Sequence, residues 1–233
     1  YKSLDAGKSW KFVGLKSAGQ IGAIKVHPKN PDIVYAAAIG QPFKHNTERG
    51  LFKSIDGGKN WKKILYISDK IGIVDMEFSP DDPNTIYAAS WEVNRKPWTI
   101  MSGSKDGGIY KSVDGGQSWT KLFKGLPKGN IGKIDLATSP ADTNRLYALI
   151  EAGEGQGGVY VSYDKGSSFA VMSHRKELVN RPFYYCNIYA HPKNADVIYS
   201  SANKFMVSID AGKTWDIRET PHGDNHDIWI NPN

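Results

Sequence analysis

His222, Gly223, Asp224, Asn225, His226 and Asp227 follow one another near the carboxy-terminal end of the chain. In an extended strand His222, Asp224 and His226 alternate onto one side and Asp227 faces the other, so two imidazoles and a carboxylate could converge on a divalent cation. Three ligands from one short strand come within about 2.0–2.2 Å of a single ion only if the strand kinks, and Gly223 could supply the kink. The other use of His and Asp at a strand entry is hydrogen bonding to neighbouring backbone. A second chemistry, cleavage of a glycosidic bond, needs two carboxyl groups about 5 to 9.5 Å apart. Glu48, Glu92, Asp224 and Asp227 are the acids available for it, with Glu92, Asp224 and Asp227 the catalytic candidates. A substrate carboxylate would call for an arginine cluster, and Arg49, Arg95 and Arg181 are the arginines at hand. Flat aromatic faces beside such groups suit a sugar ring or a peptide segment equally. Phe43, Trp91, Trp98, Tyr184 and Tyr185 supply them, so the ligand-binding candidates are Arg49, Trp91, Glu92, Arg95, Trp98, Arg181, Tyr184 and Tyr185.

These residues have to be positioned by a repeat. The pattern Ser-x-Asp-x-Gly-x-x-aromatic occurs five times, at Ser3–Trp10, Ser54–Trp61, Ser112–Trp119, Ser162–Phe169 and Ser208–Trp215. Successive serines lie 51, 58, 50 and 46 residues apart, a period that signals a propeller or solenoid. The box residues Asp5, Asp56, Asp114, Asp164 and Asp210 read as structural. Glycine allows positive φ, Ser and Asp can bond nearby amides, and the Trp can plug the turn. The fourth copy departs from the pattern, with Lys165 before Gly166 and Phe169 in place of Trp.

A second element alternates with the boxes. His27-Pro28 to Tyr35 recurs as Ser79-Pro80 to Tyr87, Ser139-Pro140 to Tyr147 and His191-Pro192 to Tyr199. Each copy pairs a Pro turn with a β-branched and aromatic run, a hairpin signature. The period therefore predicts an all-β propeller of four-stranded antiparallel blades. In each blade the Pro turn joins strands A and B, the box joins C and D, and strand A lies innermost. The expected boundaries are C and D of one blade over 1–16, full blades over about 20–66, 70–124, 130–173 and 184–219, and a further strand A over 225–231. The B-to-C and D-to-A connections, including 41–49, 91–101 and 173–183, emerge on the face opposite the boxes, where binding residues concentrate. Aligned on their Pro turns, the inner strands carry Asp75, Asp135, Asn187 and Asp227 at one position, with Ala23 in the first. Such a column requires hydration, hydrogen bonding or a cation.

The boxes resemble the Asp-box, or BNR, repeats of sialidases, xyloglucanase-type glycoside hydrolases, sortilin-type receptors and a photosystem assembly factor. Together with Arg181-Pro182-Phe183-Tyr184-Tyr185 and the 221–227 stretch, the chain looks most like bacterial secreted proteins with a sortilin-like propeller. That resemblance implies an extracellular or periplasmic location. It also implies a recognition or scaffolding propeller that binds peptide, protein or glycan on its loop face, with a sialidase-like or xyloglucanase-like glycoside hydrolase as the alternative.

Composition narrows the partners. A formal charge of +6 is spread over dispersed lysines with no basic run interleaved with stacking aromatics, which argues against nucleic acid. No apolar run is long enough for membrane insertion. Cys186 is the one cysteine, expected as a buried thiol. No triad spacing, phosphate-cradling glycine loop or Cys/His zinc pattern occurs, and no cofactor beyond the divalent cation considered above is indicated. The strand count leaves a closing blade without strand B, so a fragment of a larger propeller is expected, with the rest of the parent polypeptide or another subunit as partner. The source protein should then have a mass well above 25.8 kDa; a mass spectrum returning that value would refute the expectation.

Overall fold

The computed structural model describes residues 1–232. Four antiparallel sheets follow one another along the chain as blades of a β-propeller. The first holds β1 (Gln20–Val26), β2 (Val34–Gly40), β3 (Gly50–Ser54) and β4 (Lys62–Leu65). The second holds β5 (Ile71–Phe78), β6 (Ile86–Lys96), β7 (Thr99–Ser102), β8 (Gly108–Ser112) and β9 (Thr120–Leu122). The third holds β10 (Ile131–Thr138), β11 (Leu146–Ala152), β12 (Gly158–Ser162) and β13 (Ala170–Ser173). The fourth holds β14 (Asn187–Ala190), β15 (Ile198–Ser201), β16 (Phe205–Ser208) and β17 (Asp216–Arg218). In every blade the strands pair in chain order, and β7 is an added strand that pairs only with β6. Residues 1–16 contribute one bridge, Lys2 with Lys11, and 225–231 carry no assigned strand.

Each box folds around its serine. Ser112 Oγ accepts the amides of Gly116 (2.9 Å) and Asp114 (3.3 Å) while donating to Asp114 Oδ1 (2.7 Å). Asp114 in turn accepts the amides of Gln117 and Ser118 and the Ser118 hydroxyl. The fourth box closes the same way despite its altered sequence: Lys165 takes the left-handed φ of 55° and the Gly166 amide reaches Ser162 Oγ at 2.8 Å. The acid is held in its charged form by these donors. The Asn60 amide and side chain, with the Ser54 hydroxyl, hold the Asp56 carboxyl down at about 2.

The boxes also join blades. The lysine before the box serine reaches a carbonyl in the next box: Lys2 Nζ to Gly57 O (3.1 Å), Lys53 Nζ to Gly115 O (2.9 Å) and Lys111 Nζ to Lys165 O (2.7 Å). Box tryptophans point the other way, Trp61 Nε1 to Val13 O (2.7 Å) and Trp119 Nε1 to Ile64 O (3.0 Å). Tyr87 and Tyr147 donate their hydroxyls to carbonyls of the following blade. Apolar packing between sheets completes the joint, with Met76, Leu136 and Ile188 buried against the preceding blade. Ile24 is the equivalent residue of β1, and it is 61% exposed. Cys186 is buried, and burial pushes its thiol up to about 12.

Replacing a box serine removes an acceptor from a buried amide, which costs about 1–3 kcal/mol. Ser112→Ala should lower the denaturant midpoint by the equivalent of that loss. A midpoint within error of the parent's would contradict the role assigned to the hydroxyl.

Candidate functional site

The loop face is organised by β6, which runs beyond the blade as a hairpin with β7. Residues 91–101, expected as a connection between strands B and C, are thus largely strand, with Lys96 paired to Thr99 across the two-residue turn. Trp91 is accordingly a core residue, 4% exposed, donating Nε1 to Ser102 Oγ at 2.9 Å. The hydroxyl passes the contact on to Glu151 Oε2 (2.6 Å), which also accepts the Lys133 amide (2.8 Å), so the hairpin is tied to the third blade. Trp98 does the opposite and stands 81% exposed at the hairpin tip.

From Trp91 an aromatic wall leads outward. Phe183 meets Trp91 edge-on at 5.4 Å between centroids, and Tyr184 meets Phe183 at the same distance. Arg95 lies over Phe183 with its guanidinium carbon 5.6 Å from the centroid, and Arg181 lies 6.0 Å from the Tyr184 centroid. Edge-to-face pairs and stacked guanidiniums are favourable contacts for these side chains. A 3-10 turn at Lys176–Val179, with Leu178 buried, anchors the connection that carries Arg181 to Tyr185. Arg181 itself has a left-handed φ of 57°. Tyr184 is about half exposed. Neither Arg95 nor Arg181 forms an ion pair with a described carboxylate.

Other candidates serve the scaffold. Arg49 is buried and donates to the carbonyls of Ile39 (2.8 Å), Gln41 (2.5 Å) and Lys44 (3.2 Å), which ties down the connection after β2. Tyr185 is buried edge-on to His226. Glu92 pairs with Ile71 in the β5–β6 ladder, while Asp227 Oδ1 accepts the Tyr189 hydroxyl and the Ile228 amide. His222, Asp224 and His226 are not brought to one point. His222 Nδ1 lies 2.6 Å from Gly223 O, Asp224 adopts φ 60°, and His226 turns to Tyr185. Among the described residues no group of three or more His, Cys, Asp and Glu side chains is placed to hold a metal ion.

The inner strands line a cavity of about 770 Å³. Its acids are not left to face one another. Asp75 Oδ2 accepts the Leu136 amide of the next inner strand at 2.8 Å, and Asp135 Oδ2 accepts the Ile188 amide of the one after at 2.7 Å. Hydrogen bonding is therefore how the aligned column is accommodated at these two positions. Where β1 has Ala23, the first two blades use Lys25 Nζ to Glu77 Oε1 at 2.6 Å instead. Asn187 donates to the His226 carbonyl, and the Tyr189 hydroxyl to Asp227 Oδ1 at 2.8 Å. Burial pushes the Glu77 carboxyl up to about 7, partly offset by Lys25, and Asp135 rises well above its ordinary value for the same reason.

Against known proteins, the family model described as sortilin, neurotensin receptor 3 (Sortilin-Vps10) matches residues 1–154. The chain belongs to this family. A vacuolar protein sorting/targeting protein 10 of Lodderomyces elongisporus is 30% identical to this Vps10-family chain over 112 residues, 48% of the chain and 6% of that protein. The chain thus spans a small part of its curated relative. Among solved structures, an ancestral GH74 enzyme superposes with a TM-score of 0.66 at 17% identity, covering 94% of this chain and 28% of its own. A structure of Ycf48 bound to D1 peptide superposes with a TM-score of 0.55 at 16% identity, covering 91% of this chain and 59% of its own. At such identities the likeness is one of fold. No helix among the described residues is long and apolar enough to cross a membrane.

The channel makes a pH prediction. With its carboxyl raised from 4.5 to about 7, Glu77 binds a proton in the folded chain that the unfolded chain releases. Its contribution is fully present below about 4.5 and is lost as pH rises through 7. Glu77→Gln should flatten the decline of urea stability between those values; an unchanged slope would remove Glu77 as the titrating group.

Proposed function

We propose that this Vps10-family propeller is a recognition module that takes a peptide or protein segment on its loop face. The reading is carried by one observation: a wall of edge-to-face aromatics ends in a half-exposed Tyr184 and carries two guanidiniums, Arg95 and Arg181, that form no ion pair among the described residues. Aromatic side chains and Arg dominate the energetics of protein recognition surfaces, and exposed apolar patches rimmed by polar groups mark interaction sites. The solved Ycf48 complex supports the choice of a peptide as the first ligand class, by fold likeness alone. An extracellular or periplasmic setting is part of the same proposal, supported by the family. For the exposed face around Ile24 the proposed partner is a further blade, from the parent polypeptide or another subunit, since the equivalent residues elsewhere are covered by one.

The test is to incubate the parent protein with peptide and glycan panels and read retained ligands and newly released ends together by mass spectrometry. Retention of peptides without cleavage is expected. Tyr184→Ser and Trp98→Ser should each weaken it by about tenfold or more, the scale of a recognition hot spot. Cleavage of a glycan, abolished by Glu92→Gln, would replace this reading with the hydrolase.

A further inference from the structure

The added hairpin has a geometry that the proposed recognition role does not by itself require. The Arg95 amide donates to Pro42 O of the first blade at 2.7 Å, so it points away from β7. Arg95 lies opposite Ile100, and in an antiparallel ladder opposed residues either exchange both hydrogen bonds or direct both amides outward. The Ile100 amide and carbonyl therefore point away from β6, along the outer edge of β7. That edge pairs with no other strand among the described residues. It becomes engaged only past Ile100, where Asn130 Nδ2 reaches Ser102 O (3.1 Å) and Ser104 bridges to Ile131.

The side chains around this edge are apolar and cationic. Ile100 and Met101 are exposed, Trp98 stands beyond them, and residues 93–105 include Arg95, Lys96 and Lys105 but no acid. Opposed residues share a face, so Arg95 accompanies Ile100 on the side of Phe183, while Lys96 and Met101 occupy the other side with Thr99. Each face thus offers one cation and one apolar side chain to a strand added alongside. A second copy of the hairpin would bring like charges together, which disfavours self-pairing.

The geometry points to the outer edge of β7 as a strand-addition site for an extended acidic segment carrying apolar side chains. This rests on the loop-face reading above and specifies its ligand. Main-chain hydrogen bonds at Ile100 give attachment, and Arg95 and Lys96 select for acids.

The probe is a fluorescein-labelled decapeptide alternating valine and glutamate, titrated against the parent protein by anisotropy. Saturable binding is expected. A lysine-for-glutamate version and one N-methylated at alternate residues should each bind at least tenfold more weakly. Ile100→Pro removes an amide that makes no bond to β6, so it should weaken binding at least tenfold with the melting temperature retained, while Ile100→Val binds as the parent does. Absence of binding overturns the proposal, as does equal binding by the N-methylated peptide and by the Ile100→Pro protein. If in that second case Tyr184→Ser still weakens binding, the loop-face reading survives without the edge; if it does not, both fall. A dimer in sedimentation velocity that Ile100→Pro dissociates and the peptide cannot would give the edge to a second copy and overturn the acidic ligand.

Discussion

The buried serine hydroxyl of the box is the contact on which the remaining architecture depends. In each full blade it accepts the amide of a glycine four residues on, at 2.8 or 2.9 Å, and so sets the turn between the two outer strands. Only with that turn closed do the preceding lysine and the box tryptophan stand where they can reach adjoining blades. A local hydrogen bond thereby becomes a long-range one. Each blade contacts its neighbours through the same few groups, and stability in such an array approximates a sum of repeat and interface terms.

A second set of contacts secures the inner ends. Asp75 and Asp135 each accept an amide of the next inner strand, which gives a half-buried carboxyl a donor. The Lys25–Glu77 pair does comparable work where the first inner strand carries alanine. With outer and inner ends both tied, the connections on the loop face are free to differ between blades. The second blade uses this freedom for a hairpin, and the connection between the third and fourth uses it for the Arg181–Tyr185 segment.

The loop face is consequently a composite. Trp91 comes from the second blade, Phe183 and Tyr184 from the connection entering the fourth, and Glu151 from the third. A rigid core holds these groups, which is how a propeller supplies a preorganised surface from segments distant in sequence.

The sequence by itself determined the propeller, the strand order in each blade and the family-type boxes, because box and Pro-turn chemistry is local and repeats with the period. It also singled out Trp98, Arg95, Arg181 and Tyr184, which the structure places on the loop face. Only the tertiary structure decided which candidates stand exposed and which are buried. Arg49 and Trp91 have the same residue types as their exposed counterparts, and their burial follows from carbonyls and rings supplied by other segments. The hairpin was missed because Pro97 interrupts the run at its turn, and the Arg95 amide that fixes β6 against the first blade bonds Pro42 O far back in the sequence. The alternation of His222, Asp224 and His226 assumed an extended strand, whereas the left-handed turn at Asp224 and the ring contact of His226 with Tyr185 separate them. Local patterns are legible because neighbours in sequence satisfy them; the site is not, because each of its groups is oriented by a partner far along the chain.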